Sequence, residues 1–507
     1  MPGKDILMIK LVTDYLDAAA LRYPDKTAFA SEDRSMTFGE IRADARALAS
    51  GLLRSEIGRG GVAVFMDKCP ECVSAFMSAV YAGCFYTALD VNMPVARIEK
   101  ITSTLLPAAI ITDRAHKEEA EKFLGGSRLF IYEDAVAEEA DEALIAAAQS
   151  RTLTTDPLYV LFTSGSTGMP KGVVVSHKAV IAYAEWLADT FPLDENTVFA
   201  NQTPFYFVMS GLDIYMTLRC GCRTEIVPRS LFSFPVPLLE YLKEKHVNTL
   251  YWVPSALCFI ANFRALPEVH LDELKLIMFS GEVMPTKQLN MWMREYPEVC
   301  FVNQYGPTEM TDICAYYIVD RPLADNEAIP IGKACEHMEL LLLGENNEAV
   351  PYGEVGELCG RGPSLAYGYF KDPEKTSQVF VQNPLNPYYP ELIYRTGDLA
   401  RYNEYGELVY VSRKDFQIKH MGNRIELGEI ETAVSALDGI DRNCCLYDMK
   451  RSMIVLFYTG SIGKDDIRGK LRDSLPDYMI PNRVVRLESM PLNLNGKVDR
   501  TKLKEMI

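Results

Sequence analysis

Short apolar runs alternate with helix-patterned segments in the first part of this chain. Val62–Phe65, Ala108–Thr112 and Leu158–Phe162 read as strands, and helical patterns cover Glu71–Ala82 and Lys178–Thr190. This alternation is typical of β-α-β units, in which helices connect parallel strands and cover the sheet. We therefore predict an α/β fold with largely parallel sheets and expect ligands at the carboxyl ends of the strands.

The chain is long enough for more than one domain. At 507 residues it exceeds the size at which a single core stops growing. Beyond about Leu340 the pattern changes to short strands with glycine turns, which indicates a β-rich subdomain. A last stretch has helical patterns of its own. We predict a large core over residues 1–411, a connecting segment at 412–415 and a small α+β domain over 416–507.

The stretch from Tyr159 to His177 is a Ser/Thr/Gly loop between two apolar strand-like runs, and it carries Lys171. Its glycines let the backbone approach closely, its amides and hydroxyls donate hydrogen bonds, and the lysine adds a positive charge. We interpret it as a polyphosphate-binding loop. It is not a Walker A loop, because Lys171 follows Pro170 and does not precede Ser or Thr at a helix start. A flexible linker is the alternative.

Further short motifs follow in order along the chain. They are NQYGPTE (303–309), GEVGELCG (353–360), YRTGD (394–398), RKDFQIK (413–419), NRIELGEIE (423–431) and NGKVDR (495–500). With the loop, they resemble the adenylate-forming enzymes, which include nonribosomal-peptide adenylation domains, D-alanine carrier-protein ligases, aryl-acid ligases and acyl-CoA synthetases. The resemblance covers nearly the whole chain and implies ATP-dependent adenylation of a carboxylic acid.

The resemblance assigns a set of residues to ATP and Mg²⁺. Tyr305 would stack on adenine with Asn303 near its amino edge. Asp398 would accept from both ribose hydroxyls, unless it is only a turn residue. Thr308 would contact phosphate, and Glu309 would bind Mg²⁺, which prefers oxygen ligands. The β- and γ-phosphates would be held by Thr163, Ser164, Gly165, Ser166, Thr167, Gly168 and Lys171.

The resemblance also assigns roles near the C-terminus. Lys497 matches the lysine that bridges the acid and the α-phosphate, where a cation stabilises the transition state; an ordinary turn lysine is the alternative. Arg413 would reinforce ribose or phosphate contacts. Asp415 would be the hinge of a mobile small domain that alternates between adenylation and thioester formation. Gly422 would give room to a phosphopantetheine arm, whereas Asn423 departs from the aromatic that the family more often has there.

The resemblance places the acid pocket as well. Phe207 is followed by Val208, where relatives carry an aspartate that pairs with the α-ammonium of an amino acid. A buried ammonium without an anionic partner is costly, so we expect a substrate other than an ordinary α-amino acid. Asp213 is not a replacement, because that position is acidic in relatives that already have the aspartate. The expected lining is Phe207, Val208, Met209, Leu212, Trp252, Met278, Ser280, Gln304, Asp312 and Ile313.

Asp312 stands in this pocket where relatives often carry an aliphatic residue. It can accept a hydrogen bond from a distal hydroxyl or amine of the substrate, which suggests a hydroxybenzoate-like acid first and a β- or ω-amino acid second. The alternative is that Asp312 accepts from a donor of the protein itself.

Composition excludes several classes of partner. With 52 basic and 69 acidic residues the net charge is −17, which argues against a nucleic-acid or anionic-membrane partner. No stretch is apolar enough to span a bilayer and no signal peptide begins the chain, so we expect a cytoplasmic protein. The 12 cysteines lie mostly in apolar runs, as expected for reduced thiols. Cys69 and Cys72 lack the second pair that a zinc site needs.

Together these features predict an ATP- and Mg²⁺-dependent ligase that adenylates a small carboxylic acid and passes it to the phosphopantetheine thiol of a carrier protein. Because the chain ends soon after Arg500, we expect the carrier to be a separate protein. The alternatives are transfer to free coenzyme A, D-alanine ligation, and a nucleotide-binding protein without catalysis.

Overall fold

The structure is a computed structural model that describes residues 9–165, 168–415, 417–492 and 498–507. The chain forms two compact units. The first contains the stretch ending at Val91 together with Leu106–Leu161 and Val173–Ser412. The second contains Asn92–Leu105, Phe162–Gly172 and Arg413–Ile507. The division at Ser412 lies at the predicted connecting segment. Two inner stretches nevertheless group with the C-terminal part, and one of them contains the predicted polyphosphate-binding loop, called the phosphate loop below.

The strands of the described residues, in chain order, are β1 (Thr27–Ala30), β2 (Ser35–Thr37), β3 (Gly61–Phe65), β4 (Phe85–Leu89), β5 (Ala109–Thr112), β6 (Arg128–Ile131), β7 (Pro157–Thr163), β8 (Lys171–Ser176), β9 (Val198–Asn201), β10 (Arg223–Ile226), β11 (Thr249–Trp252), β12 (Leu276–Phe279), β13 (Cys300–Tyr305), β14 (Ala315–Ile318), β15 (Lys333–Ala334), β16 (Glu339–Leu343), β17 (Gly356–Arg361), β18 (Phe380–Gln382), β19 (Leu392–Tyr402), β20 (Leu408–Arg413), β21 (Gln417–His420), β22 (Asn423–Glu426), β23 (Ile440–Asp448), β24 (Met453–Gly460) and β25 (Arg483–Arg486).

The α-helices of the same residues are α1 (Thr13–Arg22), α2 (Phe38–Arg54), α3 (Pro70–Tyr81), α4 (Val95–Leu105), α5 (Lys117–Ala120), α6 (Tyr132–Ala135), α7 (Glu142–Arg151), α8 (His177–Thr190), α9 (Ser210–Cys220), α10 (Pro235–Glu244), α11 (Pro254–Asn262), α12 (Thr286–Glu295), α13 (Pro373–Val379), α14 (Leu427–Ser435), α15 (Lys464–Leu471) and α16 (Arg500–Lys504). Short 3₁₀ turns lie at Glu121–Phe123, Arg229–Ser233, Thr308–Met310 and Asp477–Met479.

Two mixed sheets carry the first unit. Within the described chain, a nine-stranded sheet has the order β15-β14-β13-β12-β11-β9-β10-β1-β2, and the run from β1 to β13 pairs in parallel. A six-stranded sheet has the order β6-β5-β3-β4-β7-β8, with parallel pairing from β6 to β7. These sheets confirm the predicted α/β class, since buried parallel strands are connected through helices.

Smaller sheets follow, as the change of sequence pattern predicts. Strands β16 to β20 form an antiparallel group, which is the β-rich part of the first unit. In the second unit β21 pairs with β22, and β23, β24 and β25 form a three-stranded sheet. A separate core that includes Ile425, Ile430 and Leu456 joins α14 and α15 to these strands. The C-terminal part is therefore α+β.

Local sequence signals explain where several helices begin. Thr37 and Glu40 form a capping box at the start of α2, so two backbone amides of the first turn are satisfied by side chains. Helix α3 begins at Pro70, where a missing amide hydrogen costs nothing. Cys69 and Cys72 flank this start, with their sulfurs 3.8 Å apart. The described residues contain no group of three His, Cys, Asp or Glu arranged to hold a metal.

No described helix is both long enough and apolar enough to cross a membrane. All 12 cysteines are free thiols.

Candidate active site

The phosphate loop connects β7 to β8, and its backbone geometry requires glycine at two positions. A Cβ on Gly165 would lie 2.1 Å from the carbonyl oxygen of Met169, which no side chain tolerates. Gly168 has a φ of +76°, in the left-handed region that favours glycine. Ser164 is buried, and Lys171 begins β8. Ser166 and Thr167, also predicted to bind phosphate, lie outside the described residues.

The hydrogen-bonding groups of the loop have carboxylate and carbonyl partners within the second unit. The Ser164 hydroxyl donates to the Arg424 carbonyl oxygen at 2.7 Å, and the Gly165 amide donates to Glu429 Oε2 at 3.2 Å. Lys171 Nζ lies 3.8 Å from Glu426 Oε1. Thr163 directs its hydroxyl toward the Lys171 carbonyl oxygen at 3.5 Å. Amide, hydroxyl and ammonium donors of this kind suit an oxyanion.

Tyr305 and Asp398 are joined directly in the first unit. The Tyr305 hydroxyl donates a hydrogen bond to Asp398 Oδ2, and both residues are buried. Burial and the neighbouring carboxylate raise the pKa of Tyr305 well above its ordinary value, so the phenol keeps its proton. The Asp398 amide donates to Thr396 Oγ1 at 3.0 Å within β19. Asp398 is thus a buried, hydrogen-bonded carboxylate, and its assignment to the ribose stays a prediction.

Asn303 and Thr308 flank Tyr305 at the end of β13. The Asn303 side chain donates to the Pro330 carbonyl oxygen at 2.7 Å, which fixes its amide. Thr308 begins a one-turn 3₁₀ helix and is buried. Their assignment to adenine and phosphate stays a prediction.

Glu309 is a fully buried carboxylate, and the Tyr369 hydroxyl donates to its Oε1 at 2.7 Å. Mg²⁺ is commonly held by one or two carboxylates together with phosphate oxygens and water. A single oriented carboxylate therefore fits Mg²⁺ that arrives with ATP, although it does not form a metal cage by itself.

In the second unit, Arg413 and Asp415 contact each other. Arg413 donates from Nε and Nη2 to the two carboxylate oxygens of Asp415 at 2.6 and 2.8 Å. Gly422 has a φ of +77° in the turn between β21 and β22. Asn423, which departs from the family pattern, donates to the Met421 carbonyl oxygen at 2.8 Å. Its amide thus closes this turn. Lys497 lies outside the described residues, so its role stays a prediction.

The predicted pocket residues of the strands lie on one face of the nine-stranded sheet, with one exception. Met278 packs in the first core, and Ser280 and Gln304 have the same strand alternation. Trp252 is on the opposite face, in the second core, where its indole donates to the Ala200 carbonyl oxygen at 2.7 Å. Trp252 therefore does not share the face of Met278, whereas Tyr251, which pairs with Met278, does. That this face lines the acid pocket stays a prediction.

Asp312 accepts two hydrogen bonds from tyrosines that sequence analysis missed. Its Oδ2 lies 2.8 Å from the Tyr183 hydroxyl and 3.0 Å from the Tyr251 hydroxyl. All three residues are buried, and Asp312 has a φ of +77°, an unusual backbone for aspartate. Donors of the protein itself thus do reach Asp312, which is one of the two interpretations that the sequence left open. Hydrogen bonds from two phenols also stabilise the ionised carboxylate.

Residues 207–212 form the other predicted wall. Phe207 and Val208 are partly buried in the turns before α9, where the Val208 carbonyl oxygen accepts from the Gly211 amide at 2.9 Å. Met209 and Leu212 are buried, as is Ile313 after the tight turn at Asp312.

A second carboxyl group lies near Asp312. Asp213 of α9 is fully buried, accepts from the Asn201 side-chain amide, and has one oxygen without a partner among the described residues. Burial, with a smaller contribution from the charge of Asp312, raises its pKa to about 7, although the hydrogen bond from Asn201 and the charge of Lys68 act in the opposite direction. Lys68 donates to the Asn201 and Gln202 carbonyl oxygens at 3.3 and 3.4 Å, and burial lowers its pKa to about 7. Nothing in the sequence around Lys68 indicated this neighbourhood.

Gln304 also has an unsatisfied group. It is 2% exposed, its amide nitrogen meets the Met278 sulfur at 3.6 Å, and its carbonyl oxygen has no partner in the part of the chain that the structure describes. A buried amide left in this state is suited to a polar ligand group.

Comparison with known proteins gives several similarities over most of the chain. Residues 16–370 match the family model described as AMP-binding enzyme. The L-proline--[L-prolyl-carrier protein] ligase of Streptomyces coelicolor is 33% identical over 94% of this chain and 93% of its own length. The D-alanine--D-alanyl carrier protein ligase of Bacillus anthracis is 30% identical over 97% and 98%. Tyrocidine synthase 3 of Brevibacillus parabrevis is 32% identical over 97% of this chain, which spans 8% of that protein.

A solved structure supports the fold. The amide bond synthetase McbA from Marinactinospora thermotolerans superposes with a TM-score of 0.83 at 20% identity, covering 98% of this chain and 100% of McbA.

Proposed function

Because this chain belongs to the family of AMP-binding enzymes, which form adenylates from ATP and carboxylic acids, we propose that its substrate is a small β- or ω-amino acid and its acceptor the phosphopantetheine thiol of a separate carrier protein. The chain is an ATP-dependent carboxylate ligase by this membership. The substrate and the acceptor are the proposed part.

The observation that carries the substrate proposal is the buried carboxylate of Asp312, oriented by Tyr183 and Tyr251, combined with Val208 at the position of the usual aspartate. An α-ammonium at Val208 would lack an anionic partner. An amino group further along the substrate would reach toward Asp312 instead.

Local charge favours an amino group over the phenol of a hydroxybenzoate. Asp312 and Asp213 are both buried, and the ammonium of Lys68 is close enough to lower the pKa of Asp213. Above the raised pKa of Asp213, about 7, the two carboxylates outnumber this one ammonium, and a cationic substrate group would neutralise the negative excess. A neutral hydroxyl would satisfy hydrogen bonds but not charge. Hydroxybenzoates are therefore the second candidate substrates.

Adenylation requires the protein to align two anionic reactants, the carboxylate of the acid and ATP. The phosphate loop would hold the β- and γ-phosphates, and Asp398 would accept from the ribose hydroxyls. Glu309 would hold Mg²⁺, which neutralises phosphate charge during attack by the acid. Lys497 would bridge the acid and the α-phosphate, as the family resemblance implies.

Acid-dependent ATP-pyrophosphate exchange tests this proposal. The panel contains β- and ω-amino acids, hydroxybenzoates, D- and L-alanine and short fatty acids. We expect the strongest exchange with a β- or ω-amino acid and its loss in Asp312→Asn. Val208→Asp is the matched variant, because it places a carboxylate where the α-ammonium of an amino acid would bind. We expect alanine to support faster ATP-pyrophosphate exchange in this variant than in the wild type. Strong exchange of the wild type with alanine would contradict the assignment of Val208 and Asp312.

Two further measurements identify the acceptor thiol and test for catalysis. Incubation with coenzyme A or with phosphopantetheinylated carrier proteins shows which thiol is loaded; a thioester with coenzyme A alone favours an acyl-CoA synthetase. Lys497→Ala tests whether the chain uses this lysine as a catalyst, because an unchanged exchange rate would exclude it from the reaction.

A further inference from the structure

Glu429 of α14 uses both of its carboxylate oxygens inside the second unit. Oε1 accepts from Arg97 Nη1 at 2.7 Å, and Oε2 accepts from the Gly165 amide at 3.2 Å. The side chains of Glu429 and Arg97 are 2% and 4% exposed, so this ion pair is shielded from water. An anion thus already sits on an amide that the phosphate loop would offer to ATP.

Glu426 makes the corresponding contacts one turn earlier. Its carboxylate lies 3.8 Å from Lys171 Nζ and accepts from the Gln417 side-chain amide at 2.5 Å. Its backbone amide donates to the Ser164 hydroxyl at 3.2 Å, while that hydroxyl donates to the Arg424 carbonyl oxygen at 2.7 Å. The serine and the lysine of the loop therefore have partners from the same C-terminal stretch.

The close fit of the backbone supports the same conclusion. The Lys100 ammonium donates to the Gly168 carbonyl oxygen at 3.1 Å, and a Cβ on Gly168 would lie 3.3 Å from the methyl of Thr432. Helix α4, the phosphate loop and α14 thus pack as one body within the second unit.

From these contacts we propose that Glu426 and Glu429 compete with the β- and γ-phosphates for the donors of the phosphate loop. A polyphosphate cannot take the Gly165 amide while Glu429 holds it, and two carboxylates beside the loop repel added negative charge.

This proposal rests on the proposed adenylation. It assigns the two glutamates to the steps in which ATP binds and pyrophosphate leaves. ATP must displace both carboxylates before adenylation. Once pyrophosphate leaves, Glu429 and Glu426 return to the loop and oppose its rebinding, which favours the forward reaction. They act as positioning residues, since neither touches the reacting carboxylate or the α-phosphate in this scheme.

Binding of inorganic pyrophosphate, measured by calorimetry without any acid, tests the competition directly. Glu429→Gln and Glu426→Gln keep the side-chain size and an acceptor oxygen but remove the charge. We expect each variant to bind pyrophosphate about tenfold more tightly, the size typical of a charged hydrogen-bonding partner. Equal or weaker binding in both variants, with unchanged circular dichroism, would overturn the proposal.

A matched control removes a buried carboxylate of the same unit away from the loop. Asp448 is 7% exposed and pairs with Arg451 at 3.3 Å. We expect Asp448→Asn to bind pyrophosphate like the wild type; a tenfold gain there would mean that any lost charge has this effect and would refute a specific role. If Glu429→Gln fails to fold because Arg97 loses its anion, the less buried Glu426→Gln still decides the question.

Steady-state kinetics separate competition from general damage. We expect Glu429→Gln to lower the KM for ATP and to leave the KM for the acid unchanged, whereas a structural defect would lower kcat without lowering the KM for ATP. Failure of the proposed function is recognised separately. Absence of acid-dependent exchange in the wild type would refute adenylation and leave the pyrophosphate-binding comparison intact.

Discussion

The hydroxyl of Tyr251 on β11 lies 3.0 Å from Oδ2 of Asp312, which follows β13 in the nine-stranded sheet. Tyr183 of α8 donates to the same oxygen at 2.8 Å. Two phenols from different elements therefore fix one carboxylate beside the face of the sheet that carries Tyr251 and Met278. This relationship makes Asp312, which the family resemblance assigns to the acid pocket, a specific candidate for substrate recognition.

Tyr251→Phe tests how this orientation contributes to specificity. Removing one of two phenol donors leaves Asp312 with Tyr183, so we expect kcat/KM for the preferred acid to fall about five- to twentyfold. Asp312→Asn should cost more than about tenfold, because the anion itself is lost. The two values come from exchange assays with a β- or ω-amino acid. Equal activity of wild type and Asp312→Asn would remove Asp312 from substrate binding.

Trp252→Phe provides the matched variant on the opposite face of the same strand. The change removes the indole hydrogen bond to Ala200 and leaves a cavity in the second core, so we expect a loss of about 1–3 kcal/mol of unfolding free energy. The ranking of acids should not change. Urea unfolding and the exchange panel measure both effects; an altered acid preference in Trp252→Phe would contradict its placement away from the pocket.

The position of Trp252, on the opposite face from the other strand residues predicted for the pocket, illustrates what the sequence does and does not determine. The apolar periodicity predicted the bounds of β3, β5, β7, α3 and α8 to within about one residue, because buried strands and helices need those runs. A one-residue shift in a strand, however, moves a side chain to the other face. Residues 249–252 are all buried, so no alternation of polar and apolar residues marked the correct face.

Tyr183, Lys68 and Glu429 could not be assigned from local sequence for a different reason. Each acquires its role through a contact with a distant residue: Tyr183 with Asp312, Lys68 with the carbonyl groups after β9, and Glu429 with Arg97. Long-range pairing depends on how the strands are ordered in the sheets, and a single sequence does not specify that order. The glycine-rich loop was predictable because its backbone constraint is local.

Asp213→Asn should change how stability depends on pH. Burial raises the folded-state pKa of Asp213 to about 7, above its ordinary value. A group with a raised pKa contributes its stability fully below about pH 4, and that contribution is lost as the pH rises through about 7. Between these pH values the free energy of unfolding of the wild type should therefore fall by about 2–4 kcal/mol relative to that of Asp213→Asn.

Urea unfolding at several pH values between about 4 and 8 measures this difference. Asp134→Asn is the control, because Asp134 is 66% exposed and its loss should give a curve parallel to that of the wild type. Parallel curves for Asp213→Asn as well would show that Asp213 titrates near its ordinary value in the folded protein.

Gly165→Ala should abolish phosphate binding with little effect on the remainder of the fold. The new Cβ would lie 2.1 Å from the Met169 carbonyl oxygen, so the loop must change its path. We expect ATP-pyrophosphate exchange to fall more than about a hundredfold, because positioning of the phosphates is most of the catalysis. Gly469→Ala is the control: apart from its chain neighbours and the backbone of its own helix, no described atom lies within 4 Å of the added methyl in α15. Helix propensity should add about 0.5–1 kcal/mol of stability without changing exchange.

Asp398 and Tyr305 should separate nucleotide binding from acid selection. Asp398→Asn keeps the size of the side chain but replaces one acceptor oxygen with a donor, so the two ribose hydroxyls lose an acceptor that accommodates both. We expect the KM for ATP to rise about ten- to hundredfold while the KM for the acid stays unchanged. Tyr305→Phe removes the hydroxyl that donates to Asp398 but keeps the ring, so its effect on the KM for ATP should be smaller. A larger rise in the KM for ATP in Tyr305→Phe than in Asp398→Asn would contradict this prediction. The Tyr305 hydroxyl would then contribute to ATP binding by more than its hydrogen bond to Asp398, and the ribose assignment of Asp398 would have to be abandoned.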